Sequence, residues 1–172
     1  MRSPAPARQV SGRVVLAVGL PGSGKSTWFA RRGLHPLSTD LLRLLLLDDE
    51  NDQSQQKHVF GALYGFLRRR LAIGRRLTWV DATNLEPSQR RNFLRLAEEL
   101  GYCVDAIYFD VPLEVCLERN AARNRCVPLE VMRDFARRLR PPDYSEGFRK
   151  IFVVQPNGRL RRLARERPTT SN

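Results

Sequence analysis

Gly19-Leu20-Pro21-Gly22-Ser23-Gly24-Lys25-Ser26 is the stretch on which the reading of this chain turns. It fits G-x-x-x-x-G-K-[ST], a loop whose backbone N–H groups curl into one anion-binding concavity. The residues on either side supply the context the motif needs. Arg13-Val14-Val15-Leu16-Ala17-Val18 is a short, β-branched, apolar run, so the loop follows a buried strand. Thr27 to Arg32 reads as the helix that the loop opens, and its N-terminus adds positive partial charge to the site. Gly19, Pro21, Gly22, Ser23, Gly24, Lys25, Ser26 and Thr27 are the expected phosphate cradle, with the Ser26 hydroxyl in a Mg²⁺ shell.

Outward from the loop, apolar runs alternate with helical periods. Leu34 to Ser38 predicts a second strand, and Ser38 or Thr39 caps a helix that carries Asp40 and Arg43 on one face. An acidic break, Asp48-Asp49-Glu50-Asn51-Asp52, precedes a helix over 54–73. Leu77 to Val80 predicts a third strand ending in Asp81. Pro87 opens a helix closed by Gly101, and Cys103 to Phe109 is a fourth strand. Pro112 and Pro128 each start a further helix, and Arg149 to Val154 is a last strand. The strands are continuous apolar runs, the mark of a parallel sheet covered on both faces. The expected fold is α/β, a P-loop NTPase/kinase fold with about five parallel strands and helices on both faces. The expected organisation is a flexible arm over 1–12, one domain over 13–154, and a basic, disordered tail over 155–172.

The formal net charge is +12, with Arg outnumbering Lys 27 to 3. Residues 1–12 contribute +2 and residues 155–172 contribute +4, so the remaining +6 lies on the folded part. That balance suits a polyanionic partner, and an arginine-rich composition accounts for it equally well. No apolar run reaches the roughly 18 residues of a membrane span, and the N-terminus lacks the apolar core of a secretory signal. Cys103, Cys116 and Cys126 have no metal-like spacing. A reduced, cytoplasmic setting is expected.

Five further residues invite a chemical reading. Asp81 ends an apolar strand, where a P-loop protein keeps its Mg²⁺-organising acid; the plain alternative is a turn aspartate. Asp40 stands at the rim of the site, where a carboxylate can orient a hydroxyl nucleophile and take its proton. As a helix-start residue it would serve the helix dipole alone, but Arg43 on the same face favours the chemical reading. Arg119 and Arg123 project from one side of a helix, either as cations over a transferring phosphoryl group or as solvated surface arginines.

These stretches together resemble one family. Gly19 to Thr27, Leu37-Ser38-Thr39-Asp40-Leu41-Leu42-Arg43, Asp48-Asp49-Glu50-Asn51-Asp52-Gln53, Val80-Asp81-Ala82-Thr83-Asn84, Glu118-Arg119-Asn120-Ala121-Ala122-Arg123 and Glu146-Gly147-Phe148 are similar to the P-loop 5′-hydroxyl polynucleotide kinases. The similarity is greatest to the kinase module of bacterial polynucleotide kinase-phosphatase, an RNA-repair enzyme. The resemblance implies ATP and Mg²⁺ as cofactors and a 5′-OH end of RNA or DNA as acceptor. It implies Lys25 and Ser26 at the ATP phosphates and metal, and Asp81 at the metal. It makes Asp40 the general base with Arg43 beside it, and Thr83 and Asn84 part of the acceptor site. Arg119 and Arg123 become a lid, with Arg123 also touching the nucleotide. The family's bacterial member links its kinase to phosphatase and ligase-like modules that this sequence does not match, which leaves three expectations open: action alone, action with a separate phosphatase and ligase as partners, or phosphorylation of another substrate. Two other readings stay open: a kinase of a small hydroxyl compound such as a nucleoside or sugar acid, and a nucleotide-dependent nucleic-acid-binding ATPase.

Overall fold

The computed structural model describes residues 11–122 and 126–165. Its centre is β1 (Gly12–Val18), fully buried from Val14 onward and flanked by parallel neighbours on both sides. The other strands are β2 (Leu37–Ser38), β3 (Leu77–Asp81), β4 (Tyr102–Phe109), β5 (Lys150–Val154) and β6 (Leu160–Arg162). The sheet order is β2-β3-β1-β4-β5-β6. All neighbours are parallel except β5 and β6. In such a sheet the carboxyl ends of the strands form one rim, and that is where the phosphate loop leaves β1.

One face is covered by α3 (Gln56–Ala72) and α4 (Pro87–Glu99). Val59, Leu63, Leu67 and Leu71 recur at helical spacing on α3 and pack with Phe93, Leu96 and Ala97 of α4. Beneath them lie Val14, Leu16, Val80, Val104, Ala106 and Ile151. Each buried Val, Leu, Ile or Phe side chain among them contributes on the order of 1.5–3 kcal/mol. The other face is lined by Val15, Ala17, Ile107, Phe109 and Val154, and it meets Trp28 and Phe29 of the short α1 (Lys25–Ala30). A third cluster joins Leu20 and Leu85 to Cys116 of α5 (Leu113–Ala121) and Met132 of α6 (Leu129–Arg138). This pair of helices therefore sits against the phosphate-loop rim. The helix that follows β2 is α2 (Thr39–Leu47).

Four expectations change. The sheet has six strands, because residues 160–162 return antiparallel to β5. The expected disordered tail is therefore ordered over its described part. Gln155 N–H donates to Arg159 O at 3.0 Å, and Gly158 N–H donates to Gln155 O at 2.8 Å. Pro156-Asn157-Gly158 is a turn sequence, and Gly158 takes the left-handed φ of 80° that such a turn requires. The expected N-terminal arm falls outside the described residues up to residue 10, and Gly12 already belongs to β1. Helix α1 begins two residues earlier than expected, at Lys25, because Gly24 is its N-cap and Gly24 O already accepts from Trp28 N–H at 2.9 Å.

Candidate active site

The loop between β1 and α1 owes its shape to its glycines. Gly22 has φ 80° and Gly24 has φ 93°, in the left-handed region that L side chains rarely adopt. A Cβ on Gly22 would also fall 2.4 Å from Cys116 O, so glycine is required for α5 to seat on the loop. Gly19 N–H donates to Thr83 O at 3.0 Å, which ties the loop to the strand end beside it.

Lys25 is buried, and its ammonium curls over the loop toward Gly19 O at 2.9 Å and Leu20 O at 2.7 Å, with Ser23 Oγ at 3.4 Å. Ser26, exposed, donates its hydroxyl to Asp81 Oδ2 at 2.8 Å. This joins the first position after the lysine to the carboxyl end of β3, the two places predicted for a metal site. A hydroxyl and a carboxylate on one rim fit a hard divalent cation whose other ligands are water and phosphate oxygens. Among the described residues no three His, Cys, Asp or Glu gather into a metal cage, and this arrangement needs none.

Ser38 caps α2, its hydroxyl accepting from the N–H groups of Asp40 and Leu41. The cap fixes Asp40 in the first turn. Its carboxylate, 48% exposed, accepts from Arg43 Nη1 at 2.6 Å. The Arg43 side chain is only 7% exposed. Its Nη2 donates to Gln56 Oε1 of α3 at 3.2 Å. Its Nε is buried with no hydrogen-bond partner among the described residues. A fixed guanidinium thus holds a half-exposed carboxylate at the rim. Gln56 was not predicted; it follows the acidic break by four residues, and only the packing of α3 on α2 brings it to Arg43.

On the other side of the loop lies a cleft of about 710 Å³. It is bounded by Gly22, Gly24, Thr27 and Trp28, by Arg119, and by the turn 155–158. Arg119 leans over the loop: a Cβ on Gly24 would be 3.8 Å from its Nη1. Arg32 stacks on the Trp28 ring at 4.0 Å, and the indole N–H is buried with no hydrogen bond among the described residues. Trp28, Arg32 and the turn were all missed. Pro156-Asn157-Gly158 was the legible signal for the turn. At the carboxyl end of β4, burial and then the Asp110 carboxylate push the Tyr108 phenol up to about 12.

Two predicted residues stand differently. Asn84, expected at the acceptor, is buried with φ 48°, and its Nδ2 donates to Ala17 O at 2.7 Å. It clamps the β3 exit to β1 rather than facing the rim. Thr83 is half-buried, and its carbonyl serves Gly19. Arg123 lies outside the described residues. A buried hub that sequence reading missed supports this region. Arg90 of α4 is fully buried and donates to both carboxylate oxygens of Glu146, at 2.8 and 2.6 Å. It also donates to the carbonyls of Asn84, Leu85 and Arg140. One side chain thereby joins the loop after β3 to the segment after α6.

The AAA_33 family model, an AAA domain, matches residues 14–142. The chain belongs to the AAA_33 family. Within the curated proteins, this AAA_33 chain is similar to L-seryl-tRNA(Sec) kinase of Methanococcus maripaludis, 24% identical over 176 residues, covering 86% of this chain and 68% of that protein. Among solved structures it is similar to a chain in the Pnkp1/Rnl/Hen1 RNA repair complex, with TM-score 0.68 and 19% identity. That match covers 98% of this chain and 54% of the other, so the AAA_33 chain spans about half its length. A sugar kinase from a Janibacter species matches with TM-score 0.59 and 20% identity, covering 85% and 86% of the two chains. At these identities the structural likenesses show the P-loop kinase fold. No helix among the described residues is long and apolar enough to cross a membrane.

Proposed function

We propose that this AAA_33 chain is an ATP- and Mg²⁺-dependent kinase that transfers the γ-phosphoryl group of ATP to the 5′-OH end of RNA or DNA, within nucleic-acid repair. The observation that carries the reading is the Asp40–Arg43 pair at 2.6 Å, with a half-exposed carboxylate and a buried guanidinium. Transfer to a hydroxyl needs an acceptor-side base, and nucleotide binding alone does not.

In this reading the triphosphate lies in the Gly19–Thr27 cradle, with its base toward the cleft beside Trp28. Lys25 exchanges its loop carbonyls for phosphate oxygens. Ser26 and Asp81 would hold Mg²⁺, which when bound would supply charge neutralisation for the transferring phosphoryl group. Asp40 accepts the proton of the 5′-hydroxyl as its oxygen bonds to the γ-phosphorus. The bond from that phosphorus to the β,γ-bridging oxygen breaks, and ADP leaves with the electron pair. Arg43 keeps Asp40 aimed, and Arg119 lies over the charge that spreads on the phosphoryl oxygens. Catalysis is then positioning and electrostatic stabilisation.

The likeness to a chain of an RNA repair complex and to a protein named for L-seryl-tRNA(Sec) supports an acceptor carried on RNA. The positive balance of the chain supports it too. The acidic stretch 48–52 beside α2, together with the sugar-kinase likeness, favours the second reading, a small hydroxyl acceptor. The test is incubation with γ-labelled ATP and Mg²⁺ against 5′-OH oligonucleotides, nucleosides and sugar acids. Label on the oligonucleotides is expected. Label confined to a small compound would replace the polynucleotide reading, and ATP hydrolysis with no labelled acceptor would make the chain an ATPase.

A further inference from the structure

Helix α2 leaves four leucines in water. Leu41 is 51% exposed, Leu44 47%, Leu45 67% and Leu46 49%, while Leu42 is turned into the core. Contiguous exposed apolar surface of this kind marks a place where something binds. Its position says what. Leu44 follows Asp40 by four residues and Leu45 follows Leu41 by four, the spacing at which helix side chains are neighbours. The leucine surface therefore begins at the half-exposed carboxylate of Asp40.

The other end of the surface carries the second clue. Past Leu47 the chain runs into Asp48, Asp49 and Glu50, all exposed, and then Asp52. On a chain of net charge +12 this is a local excess of negative charge. A phosphate laid along α2 would approach those carboxylates, and like charges held close repel. An apolar group without a phosphate suits the leucines beside these carboxylates, and Leu44 lies one helical turn from Asp40. A second copy of the chain fits less well. Helix α2 has nine residues, about 13 Å of length, and one face of it is far below the roughly 800 Å² per partner of a stable interface.

We propose that Leu41, Leu44 and Leu45 seat the terminal nucleobase of the acceptor, so that the first nucleoside lies on α2 and the strand's phosphates leave away from residues 48–52. This rests on the reading of Asp40 as the acceptor base and adds the part of the acceptor that the enzyme grips. Leu44 is then a specificity-determining residue. It discriminates against acceptors that present a hydroxyl without a flat apolar ring.

The test pairs two oligonucleotides, identical except that one has an abasic 5′-terminal nucleotide, with the wild-type chain and a Leu44→Ala, Leu45→Ala variant. Both substitutions shorten exposed side chains, and circular dichroism verifies folding. Removing the base should raise the acceptor KM of the wild type about tenfold, and that of the variant less than about threefold. ATP KM should not distinguish the two proteins. Equal KM for both acceptors with the wild type overturns the seat and leaves the kinase reading standing. An equal base penalty in both proteins also overturns it. Transfer to neither oligonucleotide overturns the polynucleotide reading itself. A wild-type dimer that the variant dissolves, measured by light scattering, would assign the leucines to a second copy and overturn the proposal.

Discussion

The hydroxyl of Ser26 stands 2.8 Å from Asp81 Oδ2, although 55 residues separate the two in sequence. The bond spans the gap between the start of α1 and the end of β3, so the two groups are already at one place before any ion arrives. Ser26→Ala and Asp81→Asn should each raise the Mg²⁺ concentration for half-maximal transfer by about 10–100-fold, as loss of an orienting partner does in metal sites. Titration of MgCl₂ at fixed ATP measures it. An unchanged midpoint in both variants would remove them from the metal site.

Asp40→Asn keeps the shape of the side chain and removes the charge that accepts a proton. Transfer should fall by about 10²–10⁴-fold with the ATP KM nearly unchanged. Steady-state kinetics for both substrates checks this. A kcat near wild type would leave Asp40 as a helix-start residue held by its Ser38 cap.

Arg119 lies over Gly24, on the donor side of the loop. Arg119→Ala should slow transfer to every acceptor by a common factor. Arg119→Lys should rescue it only in part, because an ammonium lacks the planar fork of donors. The comparison is kcat across at least two acceptors. A variant that slows one acceptor and spares another would move Arg119 to acceptor recognition.

Arg90 and Glu146 form a buried, two-pronged ion pair. Arg90→Met leaves Glu146 and three carbonyls without their donor, and should cost about 3–5 kcal/mol of stability. Urea unfolding of the wild type and the variant measures the loss. A midpoint shift worth less than about 1 kcal/mol would show that water takes over the role.

Asp105, in the middle of β4, is held above its ordinary value of 3.8, first by burial, against the pull of Arg13 and Lys150. A raised folded-state value means that the folded chain binds more proton than the unfolded one between 3.8 and that value. Stability contributed there is lost as pH rises through it. Asp105→Asn should therefore gain in Tm relative to wild type as pH is raised from about 4 to about 7. A gap between the two melting curves that narrows with pH would reverse the assignment and make the Arg13 contact at 3.6 Å dominant.

Much of the fold was legible because it is written in local order. The run Val14 to Val18, the glycines of the loop and the prolines at 87, 112 and 128 each act on their own few residues of backbone. The helical spacing of Val59, Leu63, Leu67 and Leu71 is equally local. Asp40 and Arg43 were legible as a pair because three residues on a helix bring two side chains together. The sixth strand was not found, since Leu160-Arg161-Arg162 has no apolar pattern and forms a strand only because β5 offers it an edge. The Asn84 contact was not legible for a similar reason: its Nδ2 donates to a carbonyl 67 positions away.

The sequence by itself therefore determined the phosphate cradle, the alternation of strand and helix, and the first-turn position of Asp40, because each depends on neighbours in the chain. Only the tertiary structure decided which groups meet across it. Ser26 with Asp81, Arg43 with Gln56 and Arg90 with Glu146 are pairs of short-range interactions. Their separation in space is fixed by sheet order and helix packing, and no count of residues between them encodes it.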